Sequence, residues 1–178
     1  MTATISIKQD DITTALRGFL LSIVSAEVIL SQENGVPMPI GNFITMTPLN
    51  SYGRSTSRIT YSPNTDGSGT QDNLRTTEWG CQLDCYGPDA ADIAATIAPL
   101  VRTEFACEYF ANSDVDMKPL YATEPHQNAL TNAEAQYENR WTFDFHAQIN
   151  PVVSVPQDFF TNITIKAKSI DATFPPEN

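Results

Sequence analysis

The clearest pattern along the chain is a strict alternation of core-type and polar residues in two stretches. It occupies residues 75–87 and returns in residues 137–150. A period of two is typical of an antiparallel β-strand that buries one face and exposes the other. The pattern therefore predicts two strong strands. Their core-facing positions are Thr77, Trp79, Cys81, Leu83 and Cys85 in the first, and Trp141, Phe143, Phe145, Ala147 and Ile149 in the second.

Two other segments repeat their apolar residues at helical spacing. They predict one helix over residues 10–25 and a second over 89–110. Pro99 lies inside the second, and we expect it to kink or split that helix near Ile97, because proline lacks the amide hydrogen and clashes with the preceding turn. The apolar stripes are Ile12, Leu16, Phe19, Leu20 and Ile23 in the first, and Ile93, Ile97, Leu100, Val101 and Phe105 in the second.

Shorter segments with weaker patterns are predicted to be extended. Pro48 should stand at the end of its strand or at a sheet edge. Turn residues such as Asp66-Gly67 predict a flexible loop near residues 63–73. We also expect a polar connection over 123–135 and a loose tail over 173–178. The extended segments are 26–31, 42–49, 53–62, 117–122 and 159–170.

The order of these elements predicts the fold class. A chain of 178 residues fits one domain. Its strands follow one another too closely for repeated βαβ units. We therefore expect a single α+β domain over residues 1–178, with a mostly antiparallel sheet and two main helices packed on one face.

Charge and cysteine content narrow the possible functions. The net charge is −11, and the sequence has no basic footprint of the kind that nucleic-acid binders use. A conduit for DNA remains compatible, because it should repel phosphates. Cys81 and Cys85 would lie about 13 Å apart along one strand, too far for a disulfide. We expect both, and Cys107, to be buried thiols.

The sequence contains no recognisable pattern of catalytic or metal-binding residues. Its two histidines, His126 and His146, do not stand near a nucleophile turn. Glu124 and Asp116 lack a recognised metal-ligand spacing with His126. No segment reads as a signal or a membrane span. We therefore expect no enzyme activity, no cofactor and no metal.

A longer stretch carries a family resemblance. Residues 119–141 contain Asn132-Ala-Glu-Ala-Gln-Tyr-Glu-Asn-Arg-Trp141. This stretch resembles phage neck and tail terminator proteins of tailed bacteriophages. Other segments agree in order along the chain: Asn34-Gly-Val-Pro37, Phe43-Ile-Thr-Met-Thr-Pro-Leu49, Asp84-Cys-Tyr-Gly87, Asn150-Pro151 and Pro156-Gln-Asp-Phe-Phe160.

The resemblance implies a structural virion protein. Such proteins form a ring, commonly hexameric, that caps the tail tube, stops its polymerisation and joins the tail to the neck. Expected partners are further copies of the chain, the tail tube protein, a neck or connector protein, a sheath protein if the tail contracts, and DNA that passes without specific binding. Assembly would take place in the bacterial cytoplasm. A head-completion or tube-like subunit is one alternative, and a carbohydrate- or receptor-binding module is an alternative of another class.

A ring needs contact residues, and the sequence offers candidates. Tyr137 and Trp141 are amphipathic anchors of the kind enriched at interfaces. Arg140 could pair with Glu134 or Glu138, or with a carboxylate of another subunit. A local salt bridge for Arg140 and a core position for Trp141 are equally compatible with the pattern. The candidate interface residues are Arg54, Arg58, Glu134, Tyr137, Arg140 and Trp141.

Overall fold

The computed structural model describes residues 2–32, 37–128, 130–131 and 137–167. These residues form three helices and twelve strands. The helices are α1 (Gln9–Ile23), α2 (Ala90–Leu100) and α3 (Glu104–Ala111). The strands are β1 (Thr4–Ile5), β2 (Glu27–Leu30), β3 (Phe43–Gly53), β4 (Arg58–Pro63), β5 (Gly69–Leu74), β6 (Thr77–Tyr86), β7 (Met117–Ala122), β8 (His126–Gln127), β9 (Leu130–Thr131), β10 (Tyr137–Glu138), β11 (Arg140–Ile149) and β12 (Val152–Pro156).

The two strongly alternating segments form the centre of a six-stranded sheet. Its order is β2-β3-β6-β11-β7, and β8 pairs with β11 beside β7. Only β2 and β3 run parallel among the pairs of this sheet in the described residues. Trp141 lies opposite Cys85, and Ile149 lies opposite Thr77. The predicted α+β class with a mostly antiparallel sheet is confirmed.

The helices cover one face of this sheet and enclose the core with it. Phe110 of α3 joins the layers, since its ring lies 4.9 Å from that of Phe19 on α1 and 6.0 Å from that of Phe145 on β11. All three rings are fully buried. Burying each such side chain contributes about 2–3 kcal/mol. The alternating face predicted from Trp79 to Cys85 forms the sheet side of this core.

The second predicted helix is split in two. α2 ends at Leu100, and α3 begins at Glu104. Pro99 lies in the last turn of α2, where its missing amide hydrogen removes one hydrogen bond to the preceding turn, and the helix ends at Leu100 rather than near Ile97. The break changes the phase of the helical face. As a result Phe105 and Cys107, which we expected to be buried, are exposed on α3.

A second sheet of four strands stands beside the first. Its order is β1-β12-β5-β4, and all its pairs are antiparallel. The loop expected near 63–73 is only a short turn over 64–68, and β5 occupies 69–74. The turn is closed by Asp66, whose carboxylate accepts hydrogen bonds from the Ser68 amide at 2.9 Å and hydroxyl at 2.6 Å. β5 escaped prediction because its residues are mostly polar.

Three further predictions differ from the structure. β3 continues past Pro48, where a bulge shifts its register against β6. Short strands β8 and β9 interrupt the expected connection over 123–135. The strand expected at 159–170 is wrong in the described part of that range, since residues 157–167 belong to no strand. The Gln157 and Phe159 amides donate only single hydrogen bonds, to the Gly69 and Gly67 carbonyls. The tail over 173–178 lies outside the described residues.

Candidate subunit interface

The face of the six-stranded sheet that the helices leave uncovered is polar. It is formed by the positions that alternate with the core positions, and we call it the polar face. Several of its side chains are nevertheless buried by their neighbours on the sheet. On β6 and β11 its members are Glu78, Gly80, Gln82, Asp84, Tyr86, Arg140, Thr142, Asp144, His146 and Gln148.

Asp84 is the centre of one cluster on the polar face. Arg140 donates to its Oδ1 through two nitrogens, at 3.1 Å and 2.9 Å. The Thr142 hydroxyl donates to the same oxygen at 2.6 Å, and Gln82 donates to Oδ2 at 2.9 Å. Arg140 also lies over the Tyr86 ring, with its Cζ 5.8 Å from the centroid. A buried carboxylate needs such partners to remain charged.

Glu78 is the centre of a second cluster on the same face. Arg54 donates from Nε to its Oε2 at 2.7 Å, and the Tyr121 hydroxyl donates to Oε1 at 2.9 Å. Burial by itself would raise the pKa of Glu78. The hydrogen bonds from Arg54 and Tyr121 and the positive charge of Arg54 outweigh burial, so the pKa of Glu78 lies below its usual value.

Two aromatic side chains extend the Glu78 cluster towards β7. The Tyr121 and His146 rings are stacked, with centroids 4.4 Å apart. His146 Nδ1 lies 3.0 Å from Glu78 Oε1 in a geometry that is not a hydrogen bond. Burial and the hydrogen bond to Glu78 raise the pKa of Tyr121. Arg102 also lies over the Tyr121 ring, with its Cζ 5.7 Å from the centroid.

Trp141 faces the opposite side of the sheet. It is half-buried against the hydrophobic core. Its exposed part lines a groove of about 530 Å³ between α2 and residues 122–125, together with Pro99, Arg102 and Glu124. Trp141 and Arg140 are therefore neighbours in sequence but belong to opposite faces.

The remaining candidate interface residues are scattered. Arg58 is exposed at the start of β4. The backbone of Tyr137 pairs with Thr131 in the small β9–β10 sheet, and nothing is described of its side chain. Glu134 lies outside the described residues. The structure thus brings Arg54 and Arg140 to one polar face and leaves Arg58 and Trp141 elsewhere.

Sequence reasoning missed the two carboxylates that organise the polar face. Arg54 is 24 positions from Glu78, and Arg140 is 56 positions from Asp84. The available signal was the position of Glu78 and Asp84 inside a strongly apolar strand, since a buried charge in a sheet requires a partner from a neighbouring strand.

The chemistry of these side chains is that of packing and pairing. Burial raises the pKa of Cys81 and of Cys85 to about 12, so neither thiol ionises near neutrality. In the described part of the chain, no group of three His, Cys, Asp or Glu side chains is placed to hold a metal ion. No described helix is both long and apolar enough to cross a membrane.

The comparison with protein families decides what kind of protein this is. A family model described as "Phage neck terminator protein" matches residues 10–171. The chain belongs to the phage neck terminator protein family. The resemblance seen in residues 119–141 is confirmed, and the family is one of structural proteins of the phage tail or neck rather than enzymes.

A solved structure from another kind of particle has a similar fold. The terminator is similar to the sheath/tube terminator of PVC, an extracellular contractile injection system, in its extended state. The TM-score is 0.53 at 8% identity, and the match covers 96% of this chain. The chain spans 66% of the length of that protein. No curated protein matches the chain.

Proposed function

We propose that this terminator forms a closed ring, most simply a hexamer, on the head-proximal end of the tail tube. The ring stops tube polymerisation and presents a docking face to a neck, head-completion or connector protein. A sheath protein is a further partner where the tail is contractile. DNA passes through the bore without specific binding, and the ring becomes part of the virion after assembly in the bacterial cytoplasm.

One observation carries the proposal: the terminator family model accounts for residues 10–171, nearly the whole chain. The likeness to a sheath/tube terminator supports it at the level of fold. The net charge of −11 and the absence of a basic cluster in the sequence fit a bore that repels DNA. Paired charges on the polar face fit a rigid scaffold for assembly.

A closed ring requires two different surfaces on each subunit, because each copy contacts its neighbours head to tail. We propose that Arg54 and Arg140 contribute to one of them through the exposed parts of their side chains. Arg58, Glu134, Tyr137 and Trp141 are further candidates.

The deciding experiment is a capping assay. Tail tube protein is polymerised with and without the terminator, and tube lengths and end-on views are recorded by negative-stain electron microscopy. We expect shorter tubes and rings with a central hole on one tube end only. Rings that leave tube length unchanged would favour the head-completion role and overturn capping.

The contribution of Arg140 has its own test by native mass spectrometry. Arg140→Ala should reduce the ring population, and Arg75→Ala serves as the matched control, because the Arg75 side chain is bonded to the Ser55 carbonyl at 3.1 Å on the exposed surface. Circular dichroism confirms that both variants are folded. An unchanged ring with Arg140→Ala overturns its interface role.

A further inference from the structure

The four-stranded sheet exposes an apolar face. Ile5 lies opposite Val153, and Val153 and Ile59 flank Asn73 across neighbouring strands. Two positions further along the strands, and therefore on the same face, Val155 and Tyr61 flank Gln71. No residue of this sheet belongs to the hydrophobic core of the described residues. Exposed apolar patches of this kind mark interaction surfaces. Its five apolar members, all exposed, are Ile5, Ile59, Tyr61, Val153 and Val155.

One edge of the same sheet is open. β4 is the outermost strand, and all six of its residues are exposed. Within the described ranges, no backbone hydrogen bond joins the outer side of β4 to another segment. An exposed edge strand presents unpaired N–H and C=O groups to any extended segment that approaches it.

The chain also carries a segment that has the pattern of a strand but forms no strand within the described residues. After Phe159 donates its amide hydrogen to the Gly67 carbonyl, no backbone hydrogen bond is described for residues 160–167. Ile163 and Ile165 are two positions apart and are 79% and 84% exposed. Thr164 and Lys166 alternate with them. We call residues 161–167 the donor segment.

The two features fit each other. Ile59 and Tyr61 stand two positions apart on the open edge, as Ile163 and Ile165 do on the donor segment, so one added strand would pair apolar with apolar side chains. The charges agree at the end of the edge next to the hairpin. Residues 160–168 contain Lys166 and Lys168 and no acidic residue, whereas the chain as a whole carries −11. Asp66 lies in the β4–β5 turn and Asp72 lies opposite Thr60, while Arg58 lies at the far end of β4.

We infer that the donor segment of one copy adds as a strand to the outer edge of β4 in a second copy. Main-chain hydrogen bonds would supply the affinity of such a contact, and the two isoleucines its register. Donor and acceptor are different surfaces of the same chain, as a head-to-tail interface demands. The inference rests on the proposed ring, for which it names one subunit contact.

Disulfide trapping between separate copies tests the contact. All proteins carry Cys107→Ser, which removes the exposed thiol. One protein adds Ile163→Cys, and others add Ile59→Cys or Tyr61→Cys. We expect mixtures of the first with one of the others to give a covalent dimer on a non-reducing gel after mild oxidation. The matched control partner is Ile40→Cys, which is fully exposed but lies outside the four-stranded sheet.

Two outcomes would overturn the inference. One is a dimer yield no greater than that of the Ile40→Cys mixture. The other is trapping only when both cysteines are in one chain, which would show that the donor segment folds back on its own sheet. A trapped dimer in the mixtures supports the contact.

A second variant separates this inference from the proposed function. Ile163→Asp with Ile165→Asp should leave the thermal midpoint unchanged, because both side chains are exposed in the single chain, and should abolish the ring. If the double variant still forms rings and caps tubes, the strand contact is contradicted and the proposed function is unaffected. Trapped dimers of the cysteine variants, together with a wild-type chain that never caps tubes, would contradict the function and leave the contact intact.

Discussion

At the scale of single residues, the polar face depends on two buried carboxylates, and each has an arginine as its main partner. The sequence left two interpretations of Arg140 open, a local salt bridge or a contact between subunits. The structure shows a salt bridge within the chain, but its partner is Asp84 on the neighbouring strand β6, a residue that neither interpretation named. Since the Arg140 side chain keeps 24% of its surface exposed, the subunit contact stays a proposal alongside it. The spacing of residues in the sequence could not reveal the pairing of Arg140 with Asp84, because it is the register of β6 and β11 that brings these two residues together.

Glu78 should make stability depend on acid pH. Its folded-state pKa lies below the usual value of 4.5 because the favourable contacts of Arg54 and Tyr121 outweigh burial. A lowered pKa stabilises the folded state above the unfolded pKa, and this stabilisation is lost as the pH falls through the folded pKa. His146 also faces Glu78, with its Nδ1 3.0 Å from Glu78 Oε1, and it is a further cause that lowers the pKa of Glu78. We therefore expect the loss to lie below about pH 4.5.

The variant Glu78→Gln should lower the free energy of unfolding by about 1–3 kcal/mol at pH 7, as for hydrogen bonds to a charged group. It should also lose less further stability than the wild type on acidification. Urea denaturation between neutral and acid pH measures both effects. Glu108→Gln, at an exposed position on α3, is the control. Equal acid sensitivity of Glu78→Gln and wild type would contradict the role of Glu78.

At the scale of elements, the turn from β6 into α2 depends on Gly87. Its φ of 104° is in the region that glycine alone adopts readily. A Cβ there would lie 2.5 Å from Asn42 Oδ1 and 2.6 Å from the Gly41 carbonyl oxygen. Gly87→Ala should therefore cost about 1–2 kcal/mol for the backbone and about 1–3 kcal/mol more for the overlap.

Gly41→Ala provides a matched comparison for the Gly87 prediction. Gly41 also has a positive φ, of 92°, but an added Cβ would meet nothing within 4 Å. We expect Gly41→Ala to lower the free energy of unfolding, measured by urea denaturation, only by the backbone contribution. If Gly41→Ala and Gly87→Ala destabilise equally, steric overlap at the β6–α2 turn is not what constrains Gly87.

The elements that could be predicted are those with one strongly buried face. β6, β11 and α1 show their periods because every second or every third to fourth residue enters the core. β5 belongs to a sheet without a described core, so its sequence carries no burial pattern. β4 of the same sheet is predicted only as part of the extended segment 53–62. The prediction for the donor segment is wrong for the opposite reason, because the segment has the pattern of a strand but forms no strand within the described residues. A pattern that predicts a strand without a local partner is the one expected of a segment that pairs between copies.

At the scale of the whole molecule, the family could be recognised from the sequence while the candidate interface could not. Quoted segments such as residues 119–141 follow chain order, and a family model reads the same order. The surfaces of the fold instead combine residues from distant strands, as in the open edge of β4 and the polar face. Such surfaces can be predicted only when the register between neighbouring strands is known. The alternation of residues along one strand does not specify that register.

The acidity of the chain leads to a prediction for the assembled ring. With a net charge of −11 per copy and arginines such as Arg54 and Arg140 already paired with carboxylates, the bore should be net negative. Phosphates would then find no cations to displace their counterions, and that displacement supplies most non-specific affinity for DNA. We expect no binding of a fluorescent DNA duplex by anisotropy at about 0.15 M salt, with a basic DNA-binding protein as the positive control. Binding that strengthens steeply as salt is lowered would indicate a bore lined by lysine and arginine. That result would contradict a channel through which DNA slides without being held.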